Sequence, residues 1–328
     1  MTNGNEFKLG SNKANNIDLN KLKSGAKRAD FEADTKMLQV FDAVDSNGNQ
    51  TLDMDEVTVF TGKMRESAGD DNVLSKKEAN FSKIDYYIKK NVDKKLDLVV
   101  MPEFFATNID YVDFAEPEDG GETIKFIQEL AKKYNTNIIA GSVVREINER
   151  LYNTTFAINR QGEVIETYDK VHLFNYMGGS EGERIEAGKD IKIANFDFAK
   201  VGMTICFDMR YPTYVREIVR KGAQIIVMPT AWLVQREIYD DEKTLAYAQD
   251  MFTAMCRTRA FDNMVYLVVS NQTKECGKSW RAIGNSMIIS PTAEVLAEAG
   301  LKEGALYAEV EVDAVEYLKS IYPIVSID

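Results

Sequence analysis

From residue 79 onward, apolar and polar positions follow two alternating periods. LDLVVM (96–101), IIVMPT (225–230) and MVYLVVSNQ (264–272) are short, near-continuous apolar runs, as strands buried on both faces require. NTNIIAGSVV (135–144) reads as a further strand. YNTTFAIN and EVIETYDKVHLF flank Arg160-Gln161-Gly162 and predict a hairpin. KIANFDFAKVGMTIC, NSMIISPTAEVLAEAG and ALYAEVEV add further strand signals. Between them, helical spacing predicts helices from Ala79 (ANFSKIDYYIKKNVDKK), over 121–134 (GETIKFIQELAKKY), near 213–221 and over 242–261. Strands interleaved with helices and hairpins predict an α/β fold, a mixed sheet covered by helices.

The first 56 residues read differently. Residues 1–30 are polar, without sustained period, and are expected to be partly disordered. Phe31, Met37, Val40, Phe41 and Val44 predict a helix over 29–44 that runs into DSNGNQTLDMDE. There, residues 45–56 match the calcium-loop pattern of an EF-hand, with Asp45, Asn47, Asn49, Thr51 (by its carbonyl), Asp53 and Glu56 at the ligand positions. Leu52 fills the usual apolar position, and Gln50 replaces the glycine of the sharp turn. The expectation is Ca2+ at this loop. Residues 57–64 admit two readings, an exiting helix or the first strand of the next domain. The spacing to the degenerate second loop, SAGDDNVLSKKE, favours the strand. The division expected is therefore 1–56 and 57–328, the second domain starting between 57 and 80.

Composition narrows the function classes. Of the 328 residues, 45% are hydrophobic and 28% charged, which is ordinary for a globular protein. The net charge of −12 argues against nucleic-acid or anionic-membrane partners. No apolar run has the length of a membrane span and no signal-peptide core is visible, so the expectation is cytoplasmic. Three cysteines (Cys206, Cys256, Cys276) do not suggest a disulfide framework. The single histidine, His172, argues against a Ser-His-Asp triad or a histidine-rich zinc site.

Three apolar strands end on reactive groups: VVMPE on Glu103, IETYDK on Lys170 and MTIC on Cys206. Strand ends are where loops of α/β folds gather ligands, so three together suggest one site. A thiol attacks an amide or nitrile carbon as thiolate and needs a base. A desolvated carboxylate can serve, while a lysine and the N–H of Phe207 can meet the oxyanion.

In this order and context, PEFF, YDKVHLF and ICFDMRYP resemble the carbon–nitrogen hydrolase (nitrilase) superfamily with its Glu-Lys-Cys triad. ANFSKIDYYIKKNVDKKLDLVVMPE, TRAFDNMVYLVVSNQ and GNSMIISPTAEVLAEAG extend the resemblance over roughly 79–318. It implies a four-layer α-β-β-α sandwich, preceded here by the EF-hand-like segment. It implies Cys206 as nucleophile, Glu103 as base and Lys170 as oxyanion stabiliser, with no catalytic cofactor. A fourth, supporting glutamate is implied between Lys170 and Cys206, for which Glu181 fits best and Glu183 is the fallback. The run Cys-Phe-Asp-Met-Arg-Tyr-Pro is similar to that of omega-amidases, implying a small amide substrate, a thioester intermediate, ammonia release and a homodimer or higher homo-oligomer. Trp232 is expected to line the pocket. Asp208 and Arg210 are expected to pair at the turn, with Arg210 alternatively binding a substrate carboxylate. His172 is expected to orient its loop. Two other readings stay open: an N-carbamoyl hydrolase, and a calcium-responsive binding protein on an inactive hydrolase scaffold.

Overall fold

The computed structural model describes residues 26–27, 51–52, 73–107, 114–273, 275–276 and 279–326. The chain divides into two units at Lys90/Asn91, beyond the expected 56/57. In the first unit, β1 (Ala26–Lys27) pairs antiparallel with β2 (Thr51–Leu52), and α1 (Val73–Lys90) begins six residues before the expected start. Of the calcium-loop ligands only Thr51 is among the described residues. Asp45, Asn47, Asn49, Asp53 and Glu56, the helix over 29–44 and the segment 57–64 lie outside them.

The second unit is built on two large sheets and a small third one. In chain order it runs β3 (Leu98–Val100), α2 (Gly121–Tyr134), β4 (Asn137–Ile139), β5 (Val143–Ile147), β6 (Arg150–Ile158), β7 (Val164–Asp169), β8 (Ile193–Asn195), β9 (Lys200–Met203), α3 (Pro212–Arg220), β10 (Ile225–Thr230), β11 (Leu233–Gln235), α4 (Glu242–Asn263), β12 (Tyr266–Asn271), β13 (Glu275–Cys276), β14 (Trp280–Ala282), β15 (Met287–Ile289), β16 (Val295–Glu298) and α5 (Asp313–Ile321). One sheet has the order β3-β4-β6-β5, with β7 on the other side of β6; the second has the order β16-β15-β12-β10-β9-β8. The small third sheet is formed by β11, β14 and β13. In the second sheet β9, β10 and β12 are parallel, and their apolar runs are largely buried. Ile139, Ala157 and Tyr168 of the first sheet share one core with Val201, Met203, Ile225–Met228 and Leu267 of the second. Outside them, α2 buries Ile124, Ile127, Leu130 and Ala131 against β4 and β6. On the far side α3 packs on β9, and α4 packs on β12 and β15. The result is the four-layer α-β-β-α sandwich. Among the described residues no helix is long and apolar enough to cross a membrane.

Two expected strands differ in an informative way. NTNIIAGSVV lies along one edge of β6 but is interrupted by a bulge. Ile139 pairs with Ala157 and Val143 with Thr154, four residues of advance against three. Gly141 takes φ +50° there, and a side chain on it would collide with the Pro102 carbonyl oxygen. ALYAEVEV alternates in burial as a strand should, yet among the described residues it joins no sheet. In that segment the Glu311 backbone bonds the Tyr266 hydroxyl instead of a neighbouring strand.

Candidate active site

The three reactive strand ends meet. Glu103 follows β3, and is placed by contacts on either side of it. The N–H of Phe104 donates to Ser142 Oγ at 3.1 Å, so the bulge after β4 grips the residue beside the carboxylate. Gln272 Nε2 donates to the Glu103 carbonyl at 2.6 Å. Lys170 follows β7, with its N–H on the Asn153 carbonyl at 2.9 Å, continuing the β6–β7 ladder by one residue. Glu181 opens a short 3-10 turn, Glu181–Glu183, and its N–H closes a loop onto the Phe174 carbonyl at 3.2 Å.

Glu103 and Lys170 are each 2% exposed and Glu181 is 8% exposed. Lys170 Nζ donates to Glu103 Oε1 at 3.0 Å, to Glu181 Oε1 at 3.1 Å and to Glu181 Oε2 at 2.8 Å. Lys170 thus makes one contact to Glu103 and a forked contact to both oxygens of Glu181. Asn153, fully buried on β6, gives one amide hydrogen to Glu103 Oε1 at 2.8 Å and the other to Glu181 Oε1 at 2.9 Å. Phe174 N–H donates to Glu181 Oε2, and Ala231 N–H to Glu103 Oε2, both at 2.8 Å.

This pattern separates the two glutamates. Each oxygen of Glu181 accepts two hydrogen bonds. Glu103 Oε1 accepts two and Oε2 only one, among the described residues. A carboxylate oxygen has room for two acceptor contacts, so Glu103 Oε2 is the atom of this cluster with capacity for a further proton. Burial alone would raise the Glu181 pKa, but the Lys170 charge and its hydrogen bonds hold it below the ordinary carboxylate range. Burial alone would pull the Lys170 ammonium down. The charges of Glu103 and Glu181 overcome this and hold it well above the ordinary amine range. Glu183, the fallback, is exposed.

Cys206 begins a second 3-10 turn, Cys206–Arg210, just past the end of β9. It is buried, with φ +48°, a left-handed backbone that a non-glycine residue adopts at a cost of about 1–3 kcal/mol. The fully buried carboxylate of Asp208 holds the turn. Its Oδ2 accepts Ile205 N–H at 2.9 Å and the Tyr168 hydroxyl at 2.6 Å, and its Oδ1 accepts His172 N–H at 2.9 Å. His172 Nδ1 lies 2.8 Å from the same Oδ1, and its ring stacks on Tyr211 at 3.7 Å. One buried carboxylate therefore ties the nucleophile turn to residues on both sides of Lys170. The expected Asp208–Arg210 pair is corrected: His172, Tyr168 and the Ile205 N–H occupy Asp208, while Arg210 is exposed. Burial, then the Glu103 charge, push the Cys206 thiol well above its ordinary range, against the pull of the Lys170 charge.

The surroundings are aromatic. Phe207 packs against Phe174 at 5.3 Å, Tyr176 at 5.7 Å and Tyr211 at 5.9 Å, and Phe174 lies 6.5 Å from Trp280. Trp232 follows Ala231 at the end of β10, with its N–H on Asn271 Oδ1 at 2.9 Å and its ring 4.9 Å from Phe252 of α4. Cys256 is fully buried in the core, as a packing residue should be. Asn153, Tyr168 and Ala231 belong to the site without having been singled out from the sequence. For Asn153 a signal exists: a strictly polar amide amid YNTTFAI, in a strand whose neighbours must be buried. Among the described residues no group of three or more His, Cys, Asp or Glu side chains is arranged to hold a metal ion.

Comparison with known proteins points to one family. Residues 64–319 match the carbon-nitrogen hydrolase family. The chain is 31% identical over 251 residues to 2-oxoglutaramate amidase of Bacillus subtilis, covering 76% of this chain and 91% of that protein. It is 27% identical over 265 residues to omega-amidase NIT3 of Saccharomyces cerevisiae, covering 76% and 87%. The crystal structure of S. cerevisiae Nit3, a member of branch 10 of the nitrilase superfamily, aligns with a TM-score of 0.64 at 26% identity, over 76% of this chain and 89% of that one. A carbon-nitrogen hydrolase from Helicobacter pylori G27 aligns with a TM-score of 0.70 over 79% and 91%, and at 22% identity speaks for the fold alone. With the match spanning most of its length and the site residues converging, this chain belongs to the carbon–nitrogen hydrolase family.

Proposed function

We propose that this protein hydrolyses the C–N bond of a small linear amide by covalent catalysis at Cys206, as an omega-amidase does. The observation that carries the reading is the buried Glu103–Lys170 pair, with one open acceptor position on Glu103 Oε2 among the described residues and its charges felt by the buried Cys206 thiol. Glu103 Oε2 takes the thiol proton as Cys206 Sγ attacks the amide carbon, and the carbonyl electron pair moves to oxygen. Phe207 N–H and the Lys170 ammonium meet that oxyanion. Collapse breaks the C–N bond, and the Glu103 proton leaves with ammonia, which leaves a thioester. Water attacks the thioester, gives its proton to Glu103, and releases the acid with the thiol restored. Each charge and proton is met by these side chains, so the scheme calls for no cofactor. The names of the relatives, 2-oxoglutaramate amidase and omega-amidase, support the amide class. Trp232, at the end of β10, and Phe207 are proposed to border the substrate, whereas the exposure of Arg210 speaks against a carboxylate contact.

The test is ammonia release across a panel of small linear amides and N-carbamoyl amines, with acyl-enzyme trapped by mass spectrometry. Wild type is expected to turn over an amide and Cys206→Ala to lose the activity while keeping its melting temperature. Carbon dioxide beside ammonia would assign the N-carbamoyl reaction, and turnover by Cys206→Ala would overturn the mechanism. A reducing, cytoplasmic setting suits a nucleophile that must stay a thiol; Cys206 and Cys256 are free.

Two finer features are proposed with it. A homodimer is supported by exposed Tyr247, Met251 and Phe261, which fall on one stripe of α4; light scattering reads the mass, and a monomer at micromolar concentration refutes it. Ca2+ binding at 45–56 is supported by an all-oxygen donor set and by Thr51–Leu52 forming a short strand paired with Ala26–Lys27.

A further inference from the structure

We infer that Asn153 is a positioning residue of this site, whose amide nitrogen holds Glu103 and Glu181 apart as two anions and keeps Glu103 aimed at the thiol while Lys170 turns to the oxyanion. The inference rests on the reading of Glu103 as the base.

The geometry is a closed diamond. Glu103 Oε1 and Glu181 Oε1 are bridged twice, by Lys170 Nζ at 3.0 and 3.1 Å and by Asn153 Nδ2 at 2.8 and 2.9 Å. Only one orientation of the amide is tenable, because a flipped Asn153 would set Oδ1 against two carboxylate oxygens. That orientation leaves Asn153 Oδ1 buried without a partner, so the side chain is placed for the carboxylates at the expense of its own acceptor. The cluster holds two carboxylates and one ammonium, an excess of one negative charge in a buried site. Asn153 stabilises that charge with two donors and adds none of its own.

The lysine explains why this matters in turnover. Lys170 Nζ is held between Glu103 Oε1 and, in a forked contact, both oxygens of Glu181, so turning the ammonium toward an oxyanion loosens one of these contacts. Once Glu103 has taken the thiol proton on Oε2, its Oε1 is the weaker acceptor, and the hydrogen bond from Lys170 to it is the one released. At that moment Asn153 is the remaining donor on Oε1. Without it the Glu103 carboxyl is held by the Ala231 N–H on Oε2 alone, and its proton can be shared with Glu181 in place of the departing amine.

Losing two donors leaves both carboxylates less stabilised as anions, so the pair takes up a proton at higher pH and the base is blocked over a wider acidic range. The experiment uses the full chain and two readouts, the pH dependence of Cys206 alkylation by iodoacetamide and that of kcat and KM for ammonia release. Asn153→Ala and the similarly sized Asn153→Leu are compared with wild type and Glu103→Gln, with melting temperature recorded at each pH. The acidic limb of both profiles is expected to move up by about one pH unit in both variants. On the acidic limb kcat should fall by up to about tenfold against wild type at the same pH, recovering toward alkaline pH, with KM within about twofold. A purely structural role would scale activity with the folded fraction and leave the limb where it is; limbs that superimpose on wild type overturn the inference. The alkylation arm needs no substrate. If Glu103→Gln leaves its profile unchanged, it is the reading of Glu103 as base that fails; if only the Asn153 variants match wild type, the inference alone fails.

Discussion

Replacing Lys170 by methionine keeps the length and much of the volume of the side chain but removes the positive charge from the centre of the cluster. Three hydrogen bonds of 2.8–3.1 Å are lost, and two carboxylates, with side chains 3% and 6% exposed, are left without their counterion. Breaking a buried ion pair from one side costs about 3–5 kcal/mol, because the remaining charge is left without a counterion away from water. The two proteins also differ in how stability responds to pH. In wild type the Glu181 pKa is depressed, so its contribution is present above the ordinary carboxylate range and lost as pH falls through its folded value. The Lys170 pKa is raised, so its contribution is fully present below the ordinary amine range and lost only as pH rises through its folded value. Wild type should therefore hold both contributions across neutral pH and weaken on acidification. Lys170→Met reverses that slope: on acidification one carboxyl of the cluster takes up a proton, the repulsion ends, and stability is regained. Urea unfolding of both proteins at half-unit steps from about pH 4.5 to about pH 8 measures this. The expected outcome is a deficit of about 3–5 kcal/mol near neutral pH that narrows on acidification. A deficit below about 1 kcal/mol, the worth of an exposed pair, or one that is constant with pH, would refute the reasoning that the cluster is a dry, charge-coupled unit.

Glu181→Gln should lower kcat by at least about tenfold, because it takes charge from Lys170, whereas Glu183→Gln should leave steady-state kinetics within about twofold; equal effects would deny Glu181 its place in the cluster. Asp208→Asn, which turns one acceptor oxygen toward its donors into an N–H2 group, should lower the melting temperature by about 5 °C or more and slow alkylation of Cys206; unchanged values on both measures would deny it the turn. Titration of the full chain with CaCl2 in a calorimeter should give heat that Glu56→Gln removes, and no heat would exclude calcium from the 45–56 loop.

The periodic part of this fold is legible in one dimension. The helix over 121–134 and the strand over 225–230 coincide with their expected bounds, because helical spacing and continuous burial are properties of neighbouring residues. The three reactive strand ends are legible for the same reason: an apolar run that stops on a charge or a thiol is a local signal. Their convergence can be anticipated too, since strands sharing two packed sheets bring their ends to common edges. Tertiary structure alone decided how those ends are wired. The one-residue bulge at Gly141 depends on the Pro102 carbonyl, 39 residues earlier in the chain. Asp208 pairs with His172 and Tyr168 across two strands, although Arg210 is the near neighbour in sequence. ALYAEVEV keeps the alternation of a strand but pairs with no strand among the described residues. Glu181 and Glu183 are two residues apart and chemically alike. One is buried on Lys170 and the other faces solvent, because a short 3-10 turn points them in different directions. Asn153 shows the same division most clearly. Its polarity within a buried strand is visible in the sequence, but the reason for it lies in two carboxylates 50 and 28 residues away along the chain. Period and burial are set by neighbours along the chain; saturation of donors and acceptors is set by neighbours in space.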